Sequence, residues 1–195
     1  MENKKFECKS CGTCCKKFGE KGLPLFEFEV DRLKKISTSK NLDIRPVEIF
    51  LDRISGKKFC VLYGLFNQPC IFLENNKCKI YDDRFFICRQ FPIFSTEKFK
   101  FAKIKGKPEF FECKCFDCKM HFKENNFNEK ELNDFYGGCY EAALDVNNET
   151  ERIMKLLLNL QKQGKIDLEG VNYQTIEDSE KISSLKEYLE SMKFS

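Results

Sequence analysis

Four cysteines within eight residues near the start of the chain constrain its fold more than any other feature. They read Cys8-Lys-Ser-Cys11-Gly-Thr-Cys14-Cys15, with two residues between successive members of the first three. A chain that curls around one centre, helped here by Gly12, can turn sulfurs at this spacing toward a zinc ion or an iron–sulfur cluster. Adjacent side chains diverge, so one of Cys14 and Cys15 is predicted to face a second metal or another partner.

The total cysteine content fits metal ligands or disulfides, and the expected compartment decides between them. The chain has 12 cysteines in 195 residues. Its first residues lack the apolar segment of a signal peptide, and no stretch approaches the ~18 apolar residues of a membrane span. We therefore expect a cytoplasmic protein with no membrane partner, in which the thiols stay reduced and bind metal.

The charge balance argues against a nucleic-acid partner. Lysine and arginine total 34 residues against 31 aspartates and glutamates. Affinity for a phosphate backbone requires a clear excess of positive charge. The expected partner is therefore another protein or a small molecule.

A second cysteine group forms an ordered signature with the first. Its elements are Cys70-Ile-Phe-Leu, Cys78-Lys-Ile-Tyr81, Arg84, and Cys88-Arg89-Gln-Phe-Pro92. Over residues 6 to 95, the two groups together resemble the YkgJ-like cysteine-cluster family, also called the CxxCxxCC or zinc- or iron-chelating domain family. One departure is Phe85, where the family usually has proline. A different local turn is expected there, but no ligand is lost.

The resemblance implies a bound metal centre, which is iron–sulfur in some members and zinc in others. A related cysteine region occurs in flagellin lysine methylases, where a 4Fe-4S cluster is linked to methyl transfer. The present sequence contains no G-x-G-x-x-G turn for an adenosyl cofactor, so we do not transfer the methylase activity to it.

Two arginines flank Cys88 and are candidate cofactor-binding residues. Arg84 and Arg89 can donate hydrogen bonds to a thiolate or a cluster sulfide and offset its charge. Alternatively, they are surface residues that pair with neighbouring aspartates. Tyr81 is either a core aromatic whose hydroxyl is hydrogen-bonded or a catalytic tyrosine, and we expect the former.

A third group lies beyond residue 95. It comprises Cys113, Cys115 and Cys118, followed at a distance by Cys139. Four thiolates complete one metal site by number. His121 is either an additional nitrogen ligand or a solvated side chain. It is the only histidine, and no serine is paired with a matching base, which argues against hydrolysis of the Ser/His type.

Cys60 is set apart from the predicted ligands. It lies in the apolar run from Phe59 to Leu62, where a buried thiol that binds no metal is typical. If Cys60 is counted, the first eight cysteines are enough for two centres of four ligands each. The last four cysteines are enough for a third centre. The predicted metal ligands are Cys8, Cys11, Cys14, Cys15, Cys70, Cys78, Cys88, Cys113, Cys115, Cys118 and Cys139.

Hydrophobic spacing predicts an α+β fold with a small, metal-organised, cysteine-rich core. The predicted elements are a helix from Phe26 to Ile36, a helix opened by Pro46 and reaching Ile54, a strand from Lys58 to Phe66, a hairpin turning at Asn75-Asn76, a weak strand from Lys98 to Lys105, and two C-terminal helices over Asn147 to Gln163 and Glu180 to Lys193. Gly164 is a predicted helix stop. The predicted domains are 1–143, carrying the metal, and 144–195, a helical tail packed on the core or a partner.

Three classes of function remain open at this stage. The first is a protein with 4Fe-4S centres that transfers electrons or modifies a partner or small molecule. The second is a zinc-stabilised interaction module, and the third is a protein that passes metal ions on. A closed set of four thiolates favours structure or electron transfer, whereas an open coordination position favours substrate binding.

Overall fold

The computed structural model describes residues 12–16, 22–36, 41–91, 93–95, 110–112, 129–168 and 181–193. In chain order, the elements of these residues are α1 (Thr13–Lys16), β1 (Leu23–Leu25), α2 (Glu27–Ile36), β2 (Ile44–Leu51), β3 (Lys58–Leu65), β4 (Leu73–Glu74), β5 (Lys77–Cys78), α3 (Phe86–Gln90), β6 (Ile93–Ser95), β7 (Phe110–Glu112), α4 (Glu129–Tyr136), α5 (Gly138–Lys162), β8 (Ile182–Ser184) and α6 (Leu185–Met192). Helices and sheets are thus mixed, and the predicted α+β class is confirmed.

The chain forms two compact units, each built from two segments. The first unit comprises Met1–Phe18 and Gln68–Thr150, and the second comprises Gly19–Asn67 and Glu151–Ser195. The boundary predicted after residue 143 stays a prediction. Among the described residues, no helix combines the length and the apolar character needed to cross a bilayer.

The second unit is organised around β3, the central strand of its sheet. Strand β3 pairs antiparallel with β1 and β2, and its first residues pair in parallel with β8. The run from Phe59 to Leu62 is buried throughout. A strand covered on both faces reads as continuous apolar sequence, which is why this strand was predictable.

The helix predicted from Pro46 to Ile54 is wrong, because the residues up to Leu51 belong to strand β2 and Ile54 lies in the turn that follows it. In the strand order of the described residues, β2 lies at the edge of the sheet, where the missing N–H of a proline is tolerated. Its register with β3 shifts on both sides of Glu48, so the pairing is irregular there. The apolar side chains that suggested a helical repeat therefore belong to an irregular strand.

The other helix predictions are confirmed in large part. Helix α2 buries Val30 and Leu33 as the spacing requires. Helix α5 covers the predicted residues except Gln163 and begins earlier, at Gly138. Gly164 adopts a φ of +70°, the left-handed conformation expected of a glycine that follows a helix.

The last predicted helix begins later than expected. Residues Ile182–Ser184 form β8, and the helix starts at Leu185. Ser184 accepts a hydrogen bond from the main-chain N–H of Glu187, and the Glu187 side chain accepts one from the main-chain N–H of Ser184. This capping box fixes the start of α6.

A buried carboxylate joins α6 to the turn between β2 and β3. Asp52 is 3% exposed and accepts a hydrogen bond of 3.0 Å from the hydroxyl of Tyr188. It also accepts bonds from the main-chain N–H of Ile54 and the hydroxyl of Ser55. The ring of Tyr188 stacks on that of Phe59 with a centroid separation of 4.1 Å. The C-terminal segment is therefore an integral part of the second unit.

In the first unit, short elements surround the second cysteine group. Strands β4 and β5 form a hairpin, and β6 pairs with β7. The strand predicted over Lys98 to Lys105 lies outside the described residues. Near the start of α5, Tyr136, Tyr140 and Ala143 form a small buried cluster against which Cys139 packs.

Candidate metal centre

The described part of the candidate centre lies in the first unit. Its described cysteines are Cys15, Cys70, Cys78, Cys88 and Cys139, all present as thiols. Cys14 lies in α1. The remaining predicted ligands lie outside the described residues: Cys8, Cys11, Cys113, Cys115 and Cys118. His121 lies outside them as well.

The β4–β5 hairpin brings two predicted ligands into one neighbourhood. Asn75 and Asn76 have φ values of 49° and 61°, so the turn forms at the predicted residues. Cys78 pairs with Leu73 across the hairpin. The main-chain N–H of Leu73 in turn donates a hydrogen bond to the carbonyl of Cys70 at 2.8 Å. Cys70 therefore lies just before the first strand of the hairpin, and Cys78 lies at the end of the second strand.

The first cysteine motif packs closely on this hairpin through Gly12. A Cβ atom at Gly12 would lie 3.1 Å from Cδ1 of Leu73 and 3.2 Å from the carbonyl oxygen of Asn76. Gly12 also has a φ of +71°, which L side chains rarely adopt. The positive φ strains any other residue here, and the close approach to the hairpin leaves little room for a side chain, so this position favours glycine.

A main-chain hydrogen bond joins the two cysteine groups directly. The N–H of Cys70 donates to the carbonyl of Cys15 at 2.7 Å. Cys15 is half-buried and Cys70 is buried. Two thiols from distant parts of the sequence are thus held on adjacent, hydrogen-bonded segments, as a shared site requires.

Helix α3 presents Cys88 and is attached through an aromatic contact. Phe85, which precedes the helix, is 2% exposed and packs edge-on against Phe72 with centroids 6.1 Å apart. Its backbone has φ −62° and ψ 155°. A proline has the same φ, so the departure from the family pattern at Phe85 keeps a proline-like backbone.

The two arginines beside Cys88 are held by aromatic rings. The Cζ atom of Arg84 lies 3.8 Å from the centroid of Tyr81, and its Nε–H donates to the Tyr81 carbonyl at 2.8 Å. The Cζ atom of Arg89 lies 5.6 Å from the centroid of Phe86. Tyr81 is 39% exposed, so its expected place in the core is wrong. Its ring instead makes a cation–π contact with the guanidinium group of Arg84. Donation from either arginine to a sulfur stays a prediction.

Cys60 is confirmed as a buried thiol of the second unit. It has no exposed surface, and its S–H donates to the carbonyl of Leu62 at 3.0 Å. Burial raises the pKa of Cys60 to about 12. A thiol that stays neutral in an apolar core is a poor metal ligand, because metals bind the thiolate.

The described side chains supply suitable donors without completing a site among themselves. Within the described ranges, no three His, Cys, Asp or Glu residues form a metal-binding group. Soft thiolates suit zinc and iron–sulfur clusters, so the donor chemistry fits the implied centre. One further feature was missed from the sequence: Oε1 of Gln90 is buried and has no hydrogen-bond partner.

Comparison with known families agrees with this geometry. A model described as "CxxCxxCC: Putative zinc- or iron-chelating domain" matches residues 7–118, more than half of the chain. The match spans the first two cysteine groups and most of the third. No curated protein and no solved structure shows a significant match. From its cysteine pattern and this match, the chain belongs to the CxxCxxCC family of zinc- or iron-chelating domains.

Proposed function

We propose that this protein binds metal as cysteine-ligated iron–sulfur centres of the 4Fe-4S type. Metal chelation as such follows from the family. The observation that carries the proposal is the hydrogen bond from Cys70 to Cys15, which joins the first cysteine motif to the second. Thiols from both motifs can then contribute to one centre.

The donor set favours iron–sulfur chemistry over zinc. The first motif spaces three cysteines as iron–sulfur proteins do, with two residues between successive ligands. The chain offers twelve cysteines and one histidine. Structural zinc sites often include histidine, whereas iron–sulfur clusters are held mainly by thiolates.

The surroundings of the second cysteine group suit a redox centre. An iron–sulfur cluster, when bound, accepts and releases single electrons. Phe72 and Phe85 are buried beside the segment that carries Cys70, and they would limit access of water to the ligands. Burial and hydrogen bonding to the sulfurs are the means by which a protein sets a cluster's potential. We propose electron transfer, or modification of a protein or small-molecule partner, as the activity.

A zinc-stabilised interaction module is the alternative function. The family description names zinc beside iron, so it supports this alternative as much as an iron centre. In such a module, the metal would supply folding energy to the short elements around the hairpin.

Preparation without oxygen separates the two proposals. We expect brown protein with broad absorption near ~400 nm, as thiolate-ligated clusters show, and iron and acid-labile sulfide in equal amounts. The same samples are assayed for zinc. Colourless protein with stoichiometric zinc and no sulfide would overturn the iron–sulfur proposal and support the alternative.

A further inference from the structure

The backbone holds Cys15 and Cys70 close enough for a bond between their side chains. The main-chain nitrogen of Cys70 lies 2.7 Å from the carbonyl oxygen of Cys15. With standard bond lengths, this contact places the two Cα atoms no more than about 6.6 Å apart. Disulfide bonds join cysteines whose Cα atoms are about 4.4–6.8 Å apart. The backbone therefore permits a disulfide between these two residues, which are thiols in this structure.

Two further features favour this pairing. Ligands of one centre turn their thiols toward the same point, and a disulfide requires the same convergence of side chains. This step rests on the function proposed above, in which Cys15 and Cys70 share a centre. The contact itself does not require metal, because it is made by main-chain atoms and supported by the close packing of Gly12 on the β4–β5 hairpin. The two thiols therefore remain neighbours when the metal leaves.

We propose that Cys15 and Cys70 form a disulfide after metal loss, and that this bond keeps the centre empty until it is reduced. Metals bind the thiolate form of cysteine, so a disulfide removes two ligands at once. Reduction by thiols reverses the bond and returns both ligands. The pair would thus act as a reversible redox switch on metal uptake.

The oxidant is a small-molecule disulfide such as oxidised glutathione. Cys15 is half-buried, whereas Cys70 is only 7% exposed, so the Cys15 thiolate is the group that meets the oxidant first. It forms a mixed disulfide and releases one thiol. The Cys70 thiolate then attacks the sulfur of Cys15 and releases the second thiol. The cysteine pair loses two electrons and two protons, and the oxidant is reduced to two molecules of thiol.

Mass spectrometry of the full chain tests the pairing. The protein is stripped of metal by a chelator, reduced with dithiothreitol, freed of both reagents and exposed to oxidised glutathione. We expect tryptic peptide 10–16 to be linked to tryptic peptide 59–77. Cys15→Ser and Cys70→Ser should each abolish this link. Cys14→Ser and Cys60→Ser are matched controls within the same two peptides and should keep it.

Zinc uptake tests the switch. Zn²⁺ is added to the oxidised and to the reduced protein, and the bound zinc is measured after the excess is removed. We expect the oxidised protein to bind less zinc than the reduced protein, and dithiothreitol to restore the full amount. Equal uptake by the two forms would overturn the switch, because the disulfide would then leave the ligand set intact.

The native metal content separates this inference from the function on which it rests. Protein prepared without oxygen that contains neither iron nor zinc would overturn both. If metal is present, but Cys15 and Cys70 carry only glutathione or pair with other cysteines after oxidation, the inference alone is overturned. A link that persists in Cys15→Ser or Cys70→Ser would overturn it as well, because other thiols would then be joined.

Discussion

The main-chain N–H of Cys70 donates a hydrogen bond of 2.7 Å to the carbonyl of Cys15. These atoms belong to the backbone, so the contact between the two cysteine groups does not depend on the thiols themselves. The close approach of Gly12 to the β4–β5 hairpin supports the same contact. Side-chain substitutions at the two cysteines can therefore separate metal binding from the local fold.

Replacing either cysteine by serine should remove metal. A hydroxyl is a poor substitute for a soft thiolate ligand, so we expect Cys15→Ser and Cys70→Ser to lose at least the centre they share. Cys60→Ser is the matched control and should retain the full metal content, because Cys60 lies in the second unit with its S–H bonded to a carbonyl. The metal content of the three variants shows whether Cys15 and Cys70 are ligands. Equal metal in all of them would remove Cys15 and Cys70 from the site.

Alanine at Gly12 should disturb the centre through the hairpin. Gly12→Ala would bring a methyl group within 3.1 Å of Leu73, in addition to the cost of a left-handed backbone, ~1–2 kcal/mol. Gly56 has a nearly identical φ of +69°, and a methyl group there would meet no atom within 4 Å, so Gly56→Ala carries only the backbone cost. We expect both variants to be less stable by thermal unfolding, and only Gly12→Ala to lose metal. Loss of metal from both would show that stability, and not the hairpin contact, is responsible.

Restoring the family's proline at Phe85 should destabilise this chain. The backbone already has the φ of proline, so Phe85→Pro gains at most ~0.4–1 kcal/mol by restricting the unfolded state. Loss of a buried phenylalanine ring costs ~3–5 kcal/mol, and the contact with Phe72 would disappear. The loss of the phenylalanine ring is the larger of the two effects, so we expect a lower unfolding midpoint. Phe85→Leu, which keeps apolar volume, should lose less. A Pro variant as stable as the wild type would show that the ring contributes little.

The stability of the second unit should fall in acid because of Asp52. Burial raises the pKa of Asp52, but hydrogen bonds from Ser55, Ile54 and Tyr188 together outweigh burial and hold the pKa below its usual value. A lowered folded pKa stabilises the fold at pH values above the unfolded pKa of about 3.9. That contribution is lost as the pH falls from about 4 through the folded pKa.

Urea unfolding at pH 6 and pH 3 checks this dependence. Burial, followed by the bond to Asp52, raises the pKa of Tyr188, so its hydroxyl remains a donor throughout this range. Tyr188→Phe should lose ~1.5–3 kcal/mol at pH 6, as expected for a hydrogen bond to a charged group, and less at pH 3. An equal loss at both pH values would show that Asp52 is not the group involved.

The parts of the fold that were predictable are those fixed by local chemistry. The Asn75-Asn76 turn, helix α2 and the buried strand β3 each follow from residues close in sequence. Cys60 was separated from the ligands because its apolar neighbours indicated burial. In these cases the local preference and the tertiary environment agree.

The errors occur where a distant partner decides the conformation. Pro46 is compatible with a helix start, but pairing with β3 makes its segment a strand, which lies at an edge of the described sheet. Ile182 pairs with Lys58, far away in sequence, so it lies in β8 and not in the last helix. The unpaired Oε1 of Gln90 likewise depends on burial by other segments. Neither periodicity nor propensity contains such information.

Removal of β8 and α6 should separate stability from metal binding. A chain that ends at residue 180 retains every predicted ligand, the last of which is Cys139. It loses the parallel pairing of β8 with β3, and the face of Phe59 that stacks on Tyr188 becomes exposed. We therefore expect a lower unfolding midpoint and a tendency to associate, measured by light scattering, with the metal content unchanged.

A point variant controls for the truncation. Tyr188→Ala removes the ring and its bond to Asp52 but leaves β8 in place, so it should show part of the stability loss and little association. Metal analysis is run on the same samples. If metal is lost in the shortened chain but kept in the point variant, the C-terminal segment contributes to the centre. If both keep it, the stability of the second unit and the chemistry of the first are separable, as the placement of the cysteines predicts.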